Sequence, residues 1–176
     1  MRPATITPTG VEHVLGRDEL IVSKTDTKGI LTYVNETFCR LAVADEIDLI
    51  GKPHNVIRHP DMPRAIFKYL WETIAARKEV FAYVKNMGMD GSFYWVFAHV
   101  TASGRTDGQV TGYHSNRRAP GREAINAIEP LYRELCRIEQ SGGGSRQGLD
   151  ASTAALNAEL VDRGLSYDEF IWSITP

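Results

Sequence analysis

Three β-rich runs in succession, Val80–Met87, Phe93–Ser103 and Val110–Asn116, are joined only by Met89-Asp90-Gly91 and by the polar loop Gly104-Arg105-Thr106-Asp107-Gly108. Connections this short return the chain antiparallel. Upstream, Leu20–Ser23 and Ile30–Val34 form a second such set around Asp26-Thr27-Lys28-Gly29, where glycine supplies positive φ. Between the two sets the pattern turns helical. Asn35 stands at an N-cap position before Phe38, Leu41 and Ala42, and Ile47, Leu49 and Ile50 make a short turn that Gly51 ends. From Ala65 to Ala76, Ile66, Tyr69, Leu70, Thr73 and Ile74 share a helical face, with Phe67 and Trp71 on the neighbouring stripe. This order predicts an α+β domain over residues 19–118: a five-stranded antiparallel sheet with short helices covering one face.

The flanks read as helical appendages. Residues 1–18 carry Pro3, Pro8 and Gly10 and a weakly helical Val11–Leu15, taken as an N-terminal cap. Residues 119–140 form a C-terminal extension with Ile125, Ile128, Leu131, Leu135 and Ile138 at helical spacing, and Pro130 inside it predicts a kink or a break. Residues 141–149, opening Ser141-Gly142-Gly143-Gly144-Ser145, read as a flexible linker. Residues 150–176 then give two short helices, with Ser166 and Glu169 as a capping box. Their Leu156, Leu160, Tyr167, Phe170, Ile171 and Trp172 suit a docking element, with folding back onto the core as the alternative.

Composition narrows the function classes. A net charge of −2 with acids and bases interspersed lacks the basic stripe of a nucleic-acid or anionic-membrane partner. Cys39 and Cys136 lie far apart with no metal-ligand spacing, as reduced thiols of a cytosolic protein do. No apolar run is long enough to span a membrane, and the N-terminus lacks a basic region followed by an apolar one, so a cytoplasmic protein without direct membrane insertion is expected. No Ser-His-Asp order, HExxH or Walker loop is present, and an enzyme is not expected.

The chemistry concentrates in Asn55-Val56-Ile57-Arg58-His59-Pro60-Asp61-Met62-Pro63. Two prolines stiffen the turn, Arg58 can fork onto a phosphate, and a helix starting near Asp61 or Met62 offers free N–H groups to an anion. Asp61 as a plain N-cap, with Pro63 in the first turn, accounts for much of the same pattern without a ligand. On the strand Val80–Met87, Asn86 can both donate and accept, which suits the polar edge of a small-molecule ligand, while bonding to nearby backbone is its alternative.

From Glu19 to about Tyr132 the chain resembles the PAS family, most nearly the flavin-binding PAS domains of bacterial aerotaxis receptors. The resemblance runs through Asp26-Thr27-Lys28-Gly29, Ile30 to Phe38, Gly51-Lys52-Pro53-His54-Asn55, Arg58 to Pro63, Val84-Lys85-Asn86, Asp90 to Val96 and Ile128-Glu129-Pro130-Leu131-Tyr132. It implies FAD as cofactor, with FMN, haem or no ligand as alternatives, and Arg58, His59, Asp61 and Asn86 as binding residues. Asn35 matches a functional asparagine of the family, although helix capping explains it equally well, and Trp71 matches a family aromatic, although such an aromatic on a helix is usually core. His54 and Asn55 match without a decided role. Where the subgroup carries a tryptophan, Val80-Phe81-Ala82-Tyr83 stands here; Phe81 can stack but cannot donate an indole N–H. Pro53-His54-Asn55 supplies no cysteine for light-driven adduct chemistry. His54, His59, His99 and His114 are the candidates for a haem ligand. The resemblance further implies a homodimer and a redox, oxygen or energy signal passed to a separate chemotaxis receptor or histidine kinase, against a ligand-free dimerisation or adaptor module.

Overall fold

The computed structural model describes residues 6–176; residues 1–5 of the expected cap lie outside the described residues. Strands β1 (Ile21–Thr25), β2 (Leu31–Val34), β3 (Val80–Met87), β4 (Phe93–Gly104) and β5 (Val110–Arg118) form one sheet in the order β2-β1-β5-β4-β3. Every pairing is antiparallel, as the turns require, and β3 pairs β4 in register from Val80 opposite Val100 to Met87 opposite Phe93.

Helices α1 (Glu36–Ala42), α2 (Glu46–Leu49) and α3 (Arg64–Ala75), with a 3-10 turn at His54–Ile57, cover one face of the sheet. Phe38, Leu41, Leu49, Ile66 and Ile74 enter the core from this layer. Side chains alternate along β3, so Val84 and Asn86 face these helices and Phe81, Tyr83 and Lys85 face the other way.

The second face is not left to solvent. Helices α4 (Arg122–Ser141), α5 (Arg146–Arg163) and α6 (Tyr167–Ser173) fold back over it and around its edge. Ile125, Ile128, Tyr132 and Leu135 are buried along α4, and the Tyr132 hydroxyl donates to the Tyr83 carbonyl at 2.8 Å. The apolar stripe of this helix is thus used largely within the chain. Helix α4 runs unbroken through Pro130, so of the expected kink or break the break is not seen: the carbonyl one turn earlier loses its partner, while Ile125, Ile128, Tyr132 and Leu135 bury the same helix on both sides of the proline.

Two further expectations are corrected. Val11–Leu15 is extended rather than helical: Phe93 N–H donates to Val11 O at 2.8 Å, and His13 N–H to Phe93 O at 2.7 Å. The start of β4 therefore recruits this segment as a strand-like partner. The glycine tract is a tight turn between antiparallel helices rather than a loose linker. Gly143 and Gly144 take positive φ, Ser145 caps α5, and a Cβ on Gly142 would lie 2.6 Å from the Gly148 Cα.

The tail accordingly belongs to the packed body. Phe170 and Ile171 are buried, Trp172 lies against Phe81 at 4.8 Å between ring centroids, and Tyr83 Oη meets Thr175 Oγ1 at 2.8 Å. Of the two readings of residues 150–176, folding back onto the core is the one seen.

Candidate functional site

A cavity of about 470 Å³ lies between the sheet and α3, within the range usual for small-molecule sites. Its floor is Ser23 and Thr25 of β1, Val84 and Asn86 of β3, and Tyr113, Ser115 and Arg117 of β5. Phe67, Leu70, Trp71 and Ile74 of α3 form one wall, and His54, Asn55, Ile57 and Arg58 the other. Among the described residues, five cationic ones line it, Lys28, Arg58, Arg64, Lys68 and Arg117, and not one carboxylate. In a chain with more acids than bases, that segregation points to an anionic occupant.

Arg117 sets the electrostatics of the floor. It is 3 % exposed, no carboxylate among the described residues pairs with it, and burial lowers its pKa to about 10, which leaves it charged at neutral pH. Its Nη2 donates to Ser23 Oγ at 2.8 Å and meets His54 Nε2 at 2.6 Å. A guanidinium can only donate, so that histidine nitrogen carries no proton. Burial, and then the charge of Arg117, push His54 down to about 3. Arg117 Nη1, Asn86 Nδ2, Thr25 Oγ1 and Ser115 Oγ are all buried without a partner. A native interior rarely leaves such groups unsatisfied, and four belonging to one cavity fit a ligand with a polar edge.

The expected residues divide. Arg58, Trp71 and Asn86 line the cavity, as do His54 and Asn55. Arg58 pairs with Asn86 in an antiparallel bridge, its Nη2 donates to Met62 O at 2.7 Å, and its guanidinium lies 4.8 Å above the Phe67 ring. Trp71 sits at the rim, edge-on to Tyr113 at 5.4 Å.

Asn35, His59, Asp61 and Phe81 stand outside the lining. Asn35 is committed to structure: its Oδ1 accepts from Phe38 N at 3.2 Å and Val22 N at 3.0 Å, and its Nδ2 donates to Leu20 O at 2.8 Å. His59 is buried, its Nδ1 accepting from Asp61 N at 3.1 Å; burial, then Lys85, lower its pKa to about 4 against the opposing pull of Asp61. Asp61 bonds Lys85 Nζ at 2.7 Å beside Cys136 of α4, so the segment from Arg58 to Asp61 crosses from the cavity to the opposite layer. Phe81 stacks on His99 at 4.3 Å, on the face away from Asn86.

The N–H groups expected to meet an anion are occupied as well. Helix α3 begins at Arg64, and its first two amides donate to Glu139 of α4, each at 3.0 Å. Sequence reasoning missed Arg117, Ser115 and Tyr113. Their signal was present: at alternate positions of one strand they share a face, and an arginine among them is unusual for a buried side.

Residues 31–117 match the family described as the PAS fold. The chain is 38 % identical over 121 residues to the aerotaxis receptor of Escherichia coli strain K12, a match covering 69 % of this chain and 24 % of the receptor. It is 26 % identical over 97 residues to the nitrogen fixation regulatory protein of Klebsiella pneumoniae, covering 55 % of this chain and 20 % of the regulator. The chain thus spans no more than about a quarter of the length of these curated relatives. Among solved structures, the light state of the blue-light photoreceptor Aureochrome1 LOV shares its fold with a TM-score of 0.55 at 15 % identity, over 69 % of this chain and 91 % of that one. A light-oxygen-voltage domain studied with a flavin analogue gives 0.56 at 14 % identity, over 65 % and 86 %.

Proposed function

The chain belongs to the PAS family through residues 31–117, and from that premise we propose that it is a sensor module whose cavity binds a flavin nucleotide, FAD, and reports redox or energy state to a separate receptor or kinase in the cytoplasm. The observation that carries this reading is the buried, acid-free Arg117 among unpartnered donors and acceptors. An unpaired charge held out of water is costly, and an anionic or strongly polar ligand edge removes that cost. Bound there, a flavin supplies reversible redox chemistry, with added negative charge on its pyrimidine edge when reduced. Asn86 Nδ2 and Ser115 Oγ would hold the polar edge, Phe67, Leu70 and Ile74 the apolar ring, and Arg58, Arg64, Lys28 and Lys68 the phosphates. His54, kept neutral and accepting from Arg117, fixes the guanidinium for this task and has no free Nε2 to offer a haem iron. This is a binding role with no reaction of its own.

The visible spectrum of the purified protein tests the reading. Bands near about 450 nm, where flavin cofactors absorb, are expected. A Soret band instead, or no binding on titration with FAD, overturns it.

A further inference from the structure

Helix α3 presents two stripes to the cavity, each at the spacing of three and four residues that shares a helical face. The deeper stripe is Phe67, Leu70 and Ile74, of which Leu70 and Ile74 are buried in the core. The shallower stripe is Arg64, Lys68 and Trp71, and it lines the mouth. Trp71 is 37 % exposed there, although the same helix buries smaller apolar side chains completely. A tryptophan left at the edge of a cavity contributes little to the core and keeps an aromatic surface available to a ligand.

The indole is nevertheless held in place. Gly29, at φ 77°, lies so close that a Cβ there would come within 2.9 Å of Trp71 Cη2, and Tyr113 of β5 meets the ring edge-on at 5.4 Å. Cations flank it. Lys28, exposed and next to that glycine, lines the same mouth, and Lys68 stands about one turn back along α3. Lys68 also pairs with Glu72 at 3.6 Å, but between exposed side chains such a contact is weak and leaves the charge free to meet a ligand. From Arg64 to Trp71 the row covers roughly 10 Å of helix axis. A fixed aromatic plane beside cations suits a nucleobase, which stacks, and its phosphates, which meet the charge.

We propose that this mouth is a nucleotide subsite in which Trp71 stacks on an adenine while Lys28, Lys68 and Arg64 hold the diphosphate attached to it, so that Trp71 distinguishes FAD from FMN and riboflavin. The proposal rests on the flavin reading of the cavity and assigns the half of the ligand that the buried floor does not serve. A tryptophan that merely walled the flavin ring would act on all three flavins alike, and that difference makes the assignment testable.

Titration of the full chain and of Trp71→Ala with riboflavin, FMN and FAD is the test. FAD should bind the variant about tenfold more weakly, the size of one base–aromatic stack, while the affinities for FMN and riboflavin change by less than about twofold. Trp71→Phe, which keeps an aromatic face, should bring FAD affinity back to within about threefold of the unaltered chain. Equal weakening of all three flavins, or unchanged FAD affinity, overturns the subsite and leaves the cofactor reading intact. Should Trp71→Ala not fold, Trp71→Leu, which keeps bulk but has no π-face, supplies the same comparison. If no flavin binds, the cofactor reading falls and ADP alone decides the subsite. ADP binding that Trp71→Leu weakens at least about fivefold sustains it. No ADP binding, or binding indifferent to residue 71, overturns it.

Discussion

Burial weighs on the charged forms of Arg117, His54 and His59. Replacing Arg117 with methionine removes a buried charge that lacks an acid partner among the described residues, so the ligand-free protein should lose no stability, and a gain of about 1–4 kcal/mol is expected. The same variant should bind FAD at least about tenfold more weakly, because a charge-assisted contact is gone. Urea melts and a flavin titration read the two effects separately, and unchanged affinity would deny Arg117 its role. His54 and His59 set the response to acid. Their folded pKa values, about 3 and about 4, lie below the ordinary 6.5, so between these limits the unfolded chain binds protons that the folded chain excludes. Stability is therefore full above about pH 6.5 and falls as pH drops towards 4, by about 1.4 kcal/mol per pH unit for each histidine. Urea unfolding at pH 7.5 and pH 5.0 should show the loss, and His59→Gln should roughly halve its slope. A flat profile would mean that both rings take up protons in place.

At the scale of elements, β3 divides the molecule between two tasks. Asn86 faces the cavity, while Phe81 and Lys85 face the C-terminal helices, a division that follows from side-chain alternation and was readable from positions 81 and 86 alone. What alternation does not reveal is that the outward side is also buried. Phe170 and Ile171 of α6 reach full burial there, so Phe170→Ala should cost about 3–5 kcal/mol, as for other large core aromatics. A chemical melt showing under about 1 kcal/mol would assign α6 to the surface. The α4–α5 turn depends on glycine for close approach as well as for positive φ. A Cβ at Gly148 would meet Glu139 backbone at 2.7 Å, so Gly148→Ala should cost about 1–3 kcal/mol by overpacking. The glycine tract was misread as a linker because composition reports the freedom of a free chain, whereas Gly142 and Gly148 are required by a helix–helix contact.

For the whole molecule, a ligand of the cavity would be linked to folding, because both the sheet and the helices wall that cavity. At a concentration a hundred times its dissociation constant, FAD should stabilise the chain by about 2.7 kcal/mol and raise its Tm by roughly 5–10 °C. A thermal melt with and without FAD checks this, and an unmoved Tm would mean that FAD does not bind the folded chain in preference to the unfolded one. The amino-acid sequence by itself determined the number and type of the strands and their succession along the chain, the helical layer between them, and Arg58, Trp71 and Asn86 as cavity residues. Those features follow from turn chemistry, side-chain period and a family pattern, all of which act over a few residues. Only the tertiary structure decided which side chains meet without partners and what covers the second sheet face. Arg117 bonds Ser23 across 94 residues, and Glu139 reaches Arg64 across 75. Over such separations local periodicity fixes no register, and the packing of helices on a finished sheet selects the contacts.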